Sequence, residues 1–145
     1  MAAEEIKLIM KYNAFVFNKN LEEISNEDSL TTADDRVNLI NWVAGHIVNT
    51  RDDLLEDVGS GRILQPEYKE YYAGNKQLPS TDVAIDIDTI KKDFEKLTEE
   101  INKVLDEGDN EKDKKVAFFM FHESYHAGQL GVLRKLLGKE GKMRI

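Results

Sequence analysis

Apolar residues recur at three- and four-residue intervals through four stretches of the chain, and each pattern predicts an amphipathic α-helix. The first spans about Ala3 to Glu23, with Ile6, Ile9, Met10, Asn13, Phe17 and Leu21 along one side. Ser25, Asn26, Glu27 and Asp28 then break it with residues that favour turns. The second runs from Thr32 or Asp34 to Val58, with Val37, Ile40, Ala44, Ile47, Val48, Leu55 and Val58 as its main stripe, and Gly59 supplies a stop. The third runs from about Asp86 to Glu107 along Ile87, Ile90, Phe94, Leu97, Ile101, Val104 and Leu105. The fourth runs from about Asp113 to Leu137 and stops at Gly138. No stretch alternates with period two long enough to predict a strand; Val83–Ile87 comes nearest.

Four helices of this length, each about 30 Å long, predict an all-α fold, a four-helix bundle in one domain over residues 1–145. The connections between the first and second helices and between the third and fourth are short, so those pairs should be antiparallel neighbours. The connection between the second and third is far longer than a tight turn needs. It can cross the bundle and let those two helices run parallel, which makes up-down-down-up the expected order. Both prolines, Pro66 and Pro79, lie in this crossover, as do Tyr68, Tyr71 and Tyr72. These tyrosines could lid one end of the bundle; packing the crossover down is the simpler expectation.

Charge and composition remove several function classes. The chain carries −8 at neutral pH, which disfavours a nucleic-acid partner. Residues 134–145 hold Arg134, Lys135, Lys139, Lys142 and Arg144 against Glu140, a local +4, so the remainder sums to −12. A solvated basic end, favoured by the helix dipole, is the expected role of that tail. The longest apolar run, Val116–Phe121, is far too short for a membrane span, and the start Met-Ala-Ala-Glu-Glu does not read as a signal peptide. A cytoplasmic protein acting on a small molecule is the expectation. The absence of cysteine excludes disulfides, thiolate ligands and a cysteine nucleophile from the chain itself.

There are only three histidines. His122 and His126 fall four apart inside the fourth helix, about 40° from each other on one face, with Phe118, Gln129 and Leu133 beside them. Two imidazoles at that spacing are a metal platform. His46 lies mid-way along the second helix on a stripe of Leu39, Trp42, His46, Asn49 and Asp53, apart from the main aliphatic stripe. All three therefore sit near the middle of bundle helices, where metal sites are built from facing helices. The string His122-Glu123-Ser124-Tyr125-His126 also matches a zinc-peptidase signature in which the glutamate is general base. That reading lacks a suitable third ligand, since Glu140 alone follows, and it lacks a substrate-aligning sheet edge. Glu123 projects about 100° from His122, at the edge of the ligand face.

Three features together resemble the DinB-like (DinB/YfiT) superfamily of small bacterial four-helix proteins. They are an early Tyr12-Asn13-Ala14-Phe15, the Trp42-x-x-x-His46 of the second helix with trailing Asn49, Arg51 and Asp52, and His122-x-x-x-His126-x-x-Gln129-Leu130 in the last helix. The resemblance covers essentially the whole chain, including the long crossover. It implies that His46, His122 and His126 bind a divalent metal, commonly nickel or zinc. It also implies a homodimer, and chemistry like that of relatives that are thiol-dependent S-transferases or a mycothiol-dependent isomerase.

Three imidazole ligands would leave a divalent ion its full charge and at least one open position, as in catalytic sites. Such an ion lowers the pKa of bound water and by the same logic stabilises a thiolate. With no cysteine in the chain, the sulfur would arrive as a low-molecular-weight thiol cosubstrate that attacks a small electrophile. Hydrolysis by metal-bound water is the close alternative, and a non-catalytic, metal-stabilised bundle the third. Gln129 and Asn49 are candidates to orient a ligand or the cosubstrate. Arg51, aimed at the aliphatic stripe, is expected to pair with Asp52 or Asp53, ahead of binding an anionic substrate group. Trp42 and Tyr125 are expected in the core.

Overall fold

The computed structural model describes residues 2–75 and 77–143, and these form six α-helices and one 3₁₀ turn with no strand. Four long helices, α1 (Ala2–Asn20), α3 (Ile40–Asp57), α5 (Ile87–Asp106) and α6 (Asn110–Leu136), answer to the four periodic stretches. Short α2 (Asn26–Ser29) and α4 (Glu67–Tyr71) and the turn Thr81–Val83 lie in the connections. Among the described residues, no helix is long and apolar enough to cross a membrane.

Local chemistry sets the boundaries. Asp86 caps α5 by accepting from the Asp88 N–H, and Asp109 caps α6 by accepting from Glu111 and Lys112. That second cap starts α6 at Asn110, a turn earlier than the apolar pattern predicts. The stops at Gly59 and Gly138 hold φ near +85°, a conformation glycine adopts without strain. Two expectations need correction. Ser25 to Asp28 do not simply break the chain: Ser25 Oγ accepts from Asp28 N while Asp28 accepts from Ser25 N, a reciprocal cap that nucleates α2. The second long helix does not begin at Thr32 or Asp34. Asp34 Oδ1 accepts from the Arg36 N–H at 2.8 Å and its carboxylate also takes the Arg36 guanidinium, a local closure that competes with helix, so α3 starts at Ile40.

The long helices meet around one apolar core. Phe17 of α1 stacks on Phe94 of α5 at 3.9 Å, and Leu21, Val43, Ile47, Leu54, Ile90, Leu97, Met120 and Leu130 close around them. Cross-helix bonds fix which ends adjoin. Lys115 of α6 reaches Asp57, Arg51 meets Glu123, and His46 meets His126, so residue numbers rise along α3 as they fall along α6. Asn13 bonds the Met120 carbonyl and Asn20 the Ala127 carbonyl, so α1 and α6 rise together. Ile9, expected on the buried stripe of the first helix, is exposed.

The crossover is packed down by its tyrosines, as expected. Tyr68 and Tyr72 are fully buried. Tyr72 Oη donates to Asn41 Oδ1 at 2.7 Å and accepts from the Ile85 N–H at 2.9 Å. Its ring lies against Gly45, where an added Cβ would run into the ring edge. Gly45→Ala is therefore expected to destabilise the fold by about 1–3 kcal/mol, seen as a lower urea midpoint. The basic end is less solvated than expected: Arg134 is buried, and its guanidinium donates to the backbone carbonyls of Asn20, Glu22 and Glu140. Lys139 and Lys142 pair with Asp28 and Glu23, while Arg144 lies outside the described residues.

Candidate metal centre

The antiparallel contact of α3 with α6 brings His46 opposite His122 and His126. One imidazole nitrogen from each lies within 4.8 Å of the others. The His122 and His126 Nε2 atoms are 3.1 Å apart, and the His46 ring meets that of His126 edge-on at 4.7 Å between centroids. The helix spacing read from the sequence thus becomes one cluster on two helices.

The outer nitrogens determine what the inner ones can do. His46 Nδ1 lies 2.7 Å from the Tyr72 carbonyl and His126 Nδ1 lies 2.9 Å from Gln129 Oε1. Both oxygens are acceptors, so each Nδ1 carries the proton and each Nε2 is left with a free lone pair. The short contact between the two α6 histidines then requires His122 Nε2 to donate when no ion lies between them. Acceptors on the outer nitrogens are the usual support of metal-bound histidine.

The donor set fits a divalent ion. The Nε2 atoms of His122 and His126, 3.1 Å apart, are close enough for one divalent ion to be held by both. One nitrogen of each imidazole lies within 4.8 Å of the others, so ring rotation of about an ångström or more would be needed to close all three on one ion. Trp42 stacks flat on His46 at 4.7 Å, and its Nε1 donates to the Tyr71 carbonyl, which holds the ring from behind.

Electrostatics favour the neutral imidazole at His46 and at His122. Burial pushes His46 down to about 4; its bond to the Tyr72 carbonyl opposes that shift, and His126 and His122 each add a smaller repulsion that deepens it. Burial, and then His126, also lower His122. A folded value below the unfolded value near 6.5 means that the unfolded chain binds the extra proton. The contribution of His46 is therefore complete above pH 6.5 and is lost as pH falls toward 4. The metal-free chain should lose up to ~3 kcal/mol over that window, with His46→Gln flattening the loss in urea titrations at pH 7 and pH 4.5.

The histidines open onto a cavity of about 440 Å³ lined also by Asn38, Trp42, Gly74, Asn75, Gln77, Tyr125 and Gln129. Among the described residues, no charged side chain lines it. Four carboxamides and two aromatic rings form its polar and apolar walls. Tyr125 is a correction: it is not core but largely exposed at the cavity rim, its ring edge-on to His126 at 5.1 Å. Trp42 is buried as expected. Phe118, placed beside the ligands by helix angle, points outward and lines no part of the cavity.

Gln129 reaches the site and Asn49 does not. Asn49 donates to Asp53 and accepts from Arg62 at 2.6 Å, and it lines no part of the histidine cavity. Arg51 is the larger surprise. It pairs neither with Asp52 nor with Asp53. Asp52 accepts from the Ile63 and Leu64 N–H groups and pairs with Arg62, and Asp53 also pairs with Arg62. Arg51 instead meets Glu123 in the bundle centre, Nε to Oε1 at 2.5 Å and Nη2 to Oε2 at 3.1 Å, with side chains 1% and 2% exposed. Asn13 donates to the same carboxylate, Thr98 and the Phe94 carbonyl accept from Nη1, and the guanidinium lies 3.7 Å over the Phe94 ring. Glu123 is thus fully engaged away from the cavity, which removes it as a peptidase-type base.

The sequence reading missed Asn38, Asn75 and Gln77, which come from loops with no periodic signal. Tyr125 had a usable one: it precedes His126 and lies about 60° from His122, close to the ligand face. No protein-family model, curated protein or solved structure matches the chain.

Proposed function

We propose that this chain is a DinB-like metal protein whose three histidines hold one divalent ion, nickel or zinc, and that it uses a low-molecular-weight thiol to modify a small electrophile. The observation that carries the reading is the pair of outer hydrogen bonds, Tyr72 carbonyl to His46 and Gln129 to His126, which leave two Nε2 lone pairs converging beside His122. An up-down-down-up four-helix bundle is part of the same reading. It is supported by α1 rising with α6, α3 opposing α6, and Lys7 of α1 pairing with Asp106 at the far end of α5.

When bound, such an ion supplies a positive charge that favours the thiolate or hydroxide form of a coordinated group. The chain's own residues do the rest. Tyr72 and Gln129 fix the imidazole tautomers. Trp42 and Tyr125 present aromatic walls, and Asn38, Asn75, Gln77 and Gln129 offer amide donors and acceptors for a polar, uncharged cosubstrate. In the transfer, the thiol proton passes to solvent, sulfur bonds to the electrophilic carbon, and the leaving group departs with the electron pair of the broken bond.

The test is zinc- or nickel-loaded protein with a chromogenic electrophile, with and without added thiol. Turnover that needs both metal and thiol supports transfer. Turnover of an ester with metal alone points to hydrolysis, and neither activity contradicts the enzymatic reading. Gln129→Ala is expected to weaken zinc binding about 10- to 100-fold while leaving the fold intact, as read by competition with a zinc-sensitive dye and by circular dichroism.

A further inference from the structure

We propose that the groove between α1 and α6 binds a small amphiphilic acid of the N-acyl amino acid class. Its hydrocarbon tail would lie along the groove floor, its amide N–H at Asn20 and its carboxylate at Lys135. The groove has a volume of about 410 Å³, within the range of small-molecule sites. No residue lines both this groove and the histidine cavity, so the proposal stands apart from the metal reading.

Two glycines shape the floor. Glycine is disfavoured inside a helix, so each one asks for a reason. A Cβ on Gly131 would press on the Asn20 side chain at 3.1 Å, so that glycine seats the asparagine. Around Gly128 nothing lies within 4 Å of where a Cβ would be, so no contact among the described residues requires it. Its missing side chain leaves a trough lined by Val16, Ala127 and Val132.

Small residues alone make only a space; Asn20 says what fills it. Asn20 lines the groove but is only 2% exposed, and its Nδ2 donates to the Ala127 carbonyl at 2.9 Å. That bond fixes which end of the carboxamide is the nitrogen, and among the described residues nothing donates to Oδ1. An acceptor so deeply placed calls for an N–H or O–H from whatever enters the groove.

Lys135 supplies the opposite demand about 6 Å further along α6, one turn beyond Gly131. Lys139 and Lys142 of the same basic end pair with Asp28 and Glu23, whereas Lys135 has no acidic partner among the described residues. Its stem is laid across Gly141, where an added Cβ would come within 2.6 Å of Lys135 Cε. An unpaired ammonium thus stands at one end of the trough, in a chain of net charge −8. From Gly128 to Lys135 the groove therefore reads apolar, acceptor, cation. Its complement is a hydrocarbon chain, then a donor, then an anion, which is the order of groups in an acyl chain joined through an amide to an amino acid.

Isothermal titration calorimetry of N-octanoylglycine into the untagged chain tests the proposal. One saturable site per chain is expected. N-octanoylsarcosine, whose amide carries no N–H, should bind at least about 10-fold more weakly. Gly128→Leu should fill the trough and abolish binding with unchanged helical circular dichroism. Lys135→Met keeps the stem and removes the charge, so it should weaken binding several-fold and remove most of its dependence on salt. No saturable uptake of N-octanoylglycine, equal affinity for the two probes, or binding that survives Gly128→Leu overturns the proposal.

Discussion

Arg51→Met is expected to lower the unfolding free energy by about 3–5 kcal/mol, because it strands the Glu123 carboxylate in the bundle centre. The melting temperature should fall by roughly 10 °C or more. Little else in the molecule concentrates so much polar interaction in so small a volume. The guanidinium, fully buried, meets Glu123, Thr98 and the Phe94 carbonyl and lies over the Phe94 ring, while Asn13 completes the carboxylate. Helices α1, α3, α5 and α6 all contribute. An unpaired buried charge is the expensive case; removing both charges is not. The double variant R51M/E123L should therefore recover most of the loss, and thermal melts of the two single variants and the double one measure it. If Arg51→Met melts within ~2 °C of wild type, the pair does not carry the weight given to it here. Glu123→Gln should likewise destabilise, and any metal-dependent turnover should survive where the fold does, since the carboxylate faces away from the cavity.

His46→Ala should weaken zinc or nickel binding by at least about 100-fold, more than the loss expected for an outer-shell partner. His46 is the one member of the cluster on α3, so its loss would leave a two-histidine platform on α6 alone. In the wild-type chain, zinc at 1,000 times its dissociation constant should add about 4 kcal/mol to stability, because the unfolded chain has no preformed site. That increment should vanish in His46→Ala while the metal-free variant retains its helical spectrum. Calorimetry with and without zinc separates the two effects. An increment of the same size in wild type and variant would mean that the ion binds elsewhere, the acidic surface being the obvious place.

Much of this was legible in the sequence because helix periodicity is a geometric constraint. The stripe Ile87, Ile90, Phe94, Leu97, Ile101 is buried throughout, and the placement of His122 and His126 on one face needed only the 100° step. Convergence of His46 on them followed from the mid-helix position of all three. Boundaries were less legible. Asp34 and Ser25 close local hydrogen bonds that compete with or extend a helix, and apolar spacing does not register them. Asn49 lies one turn beyond His46 along the helix, but Arg62 from the crossover takes its oxygen. The central ion pair was hidden for a related reason. Glu123 lies at the edge of the histidine face, but its angle also falls within the buried stripe of Val116, Met120, Ala127 and Leu130. A charged residue centred in an apolar stripe demands a partner, and Arg51 on the aliphatic stripe of α3 made the same demand. Only the packing of α3 against α6 shows that the two demands answer each other. Tyr125, expected in the core, is exposed beside the cavity.

The central claim is that His46, His122 and His126 together bind one divalent ion. Equilibrium dialysis of the untagged, chelator-treated chain against zinc, followed by elemental analysis, tests it most directly, with His46→Ala, His122→Ala and His126→Ala dialysed alongside. The expected result is one equivalent of zinc per chain in the wild type and a loss of at least about 100-fold in affinity in each variant. No saturable zinc in the wild type, or the same zinc content in all four proteins, would contradict it.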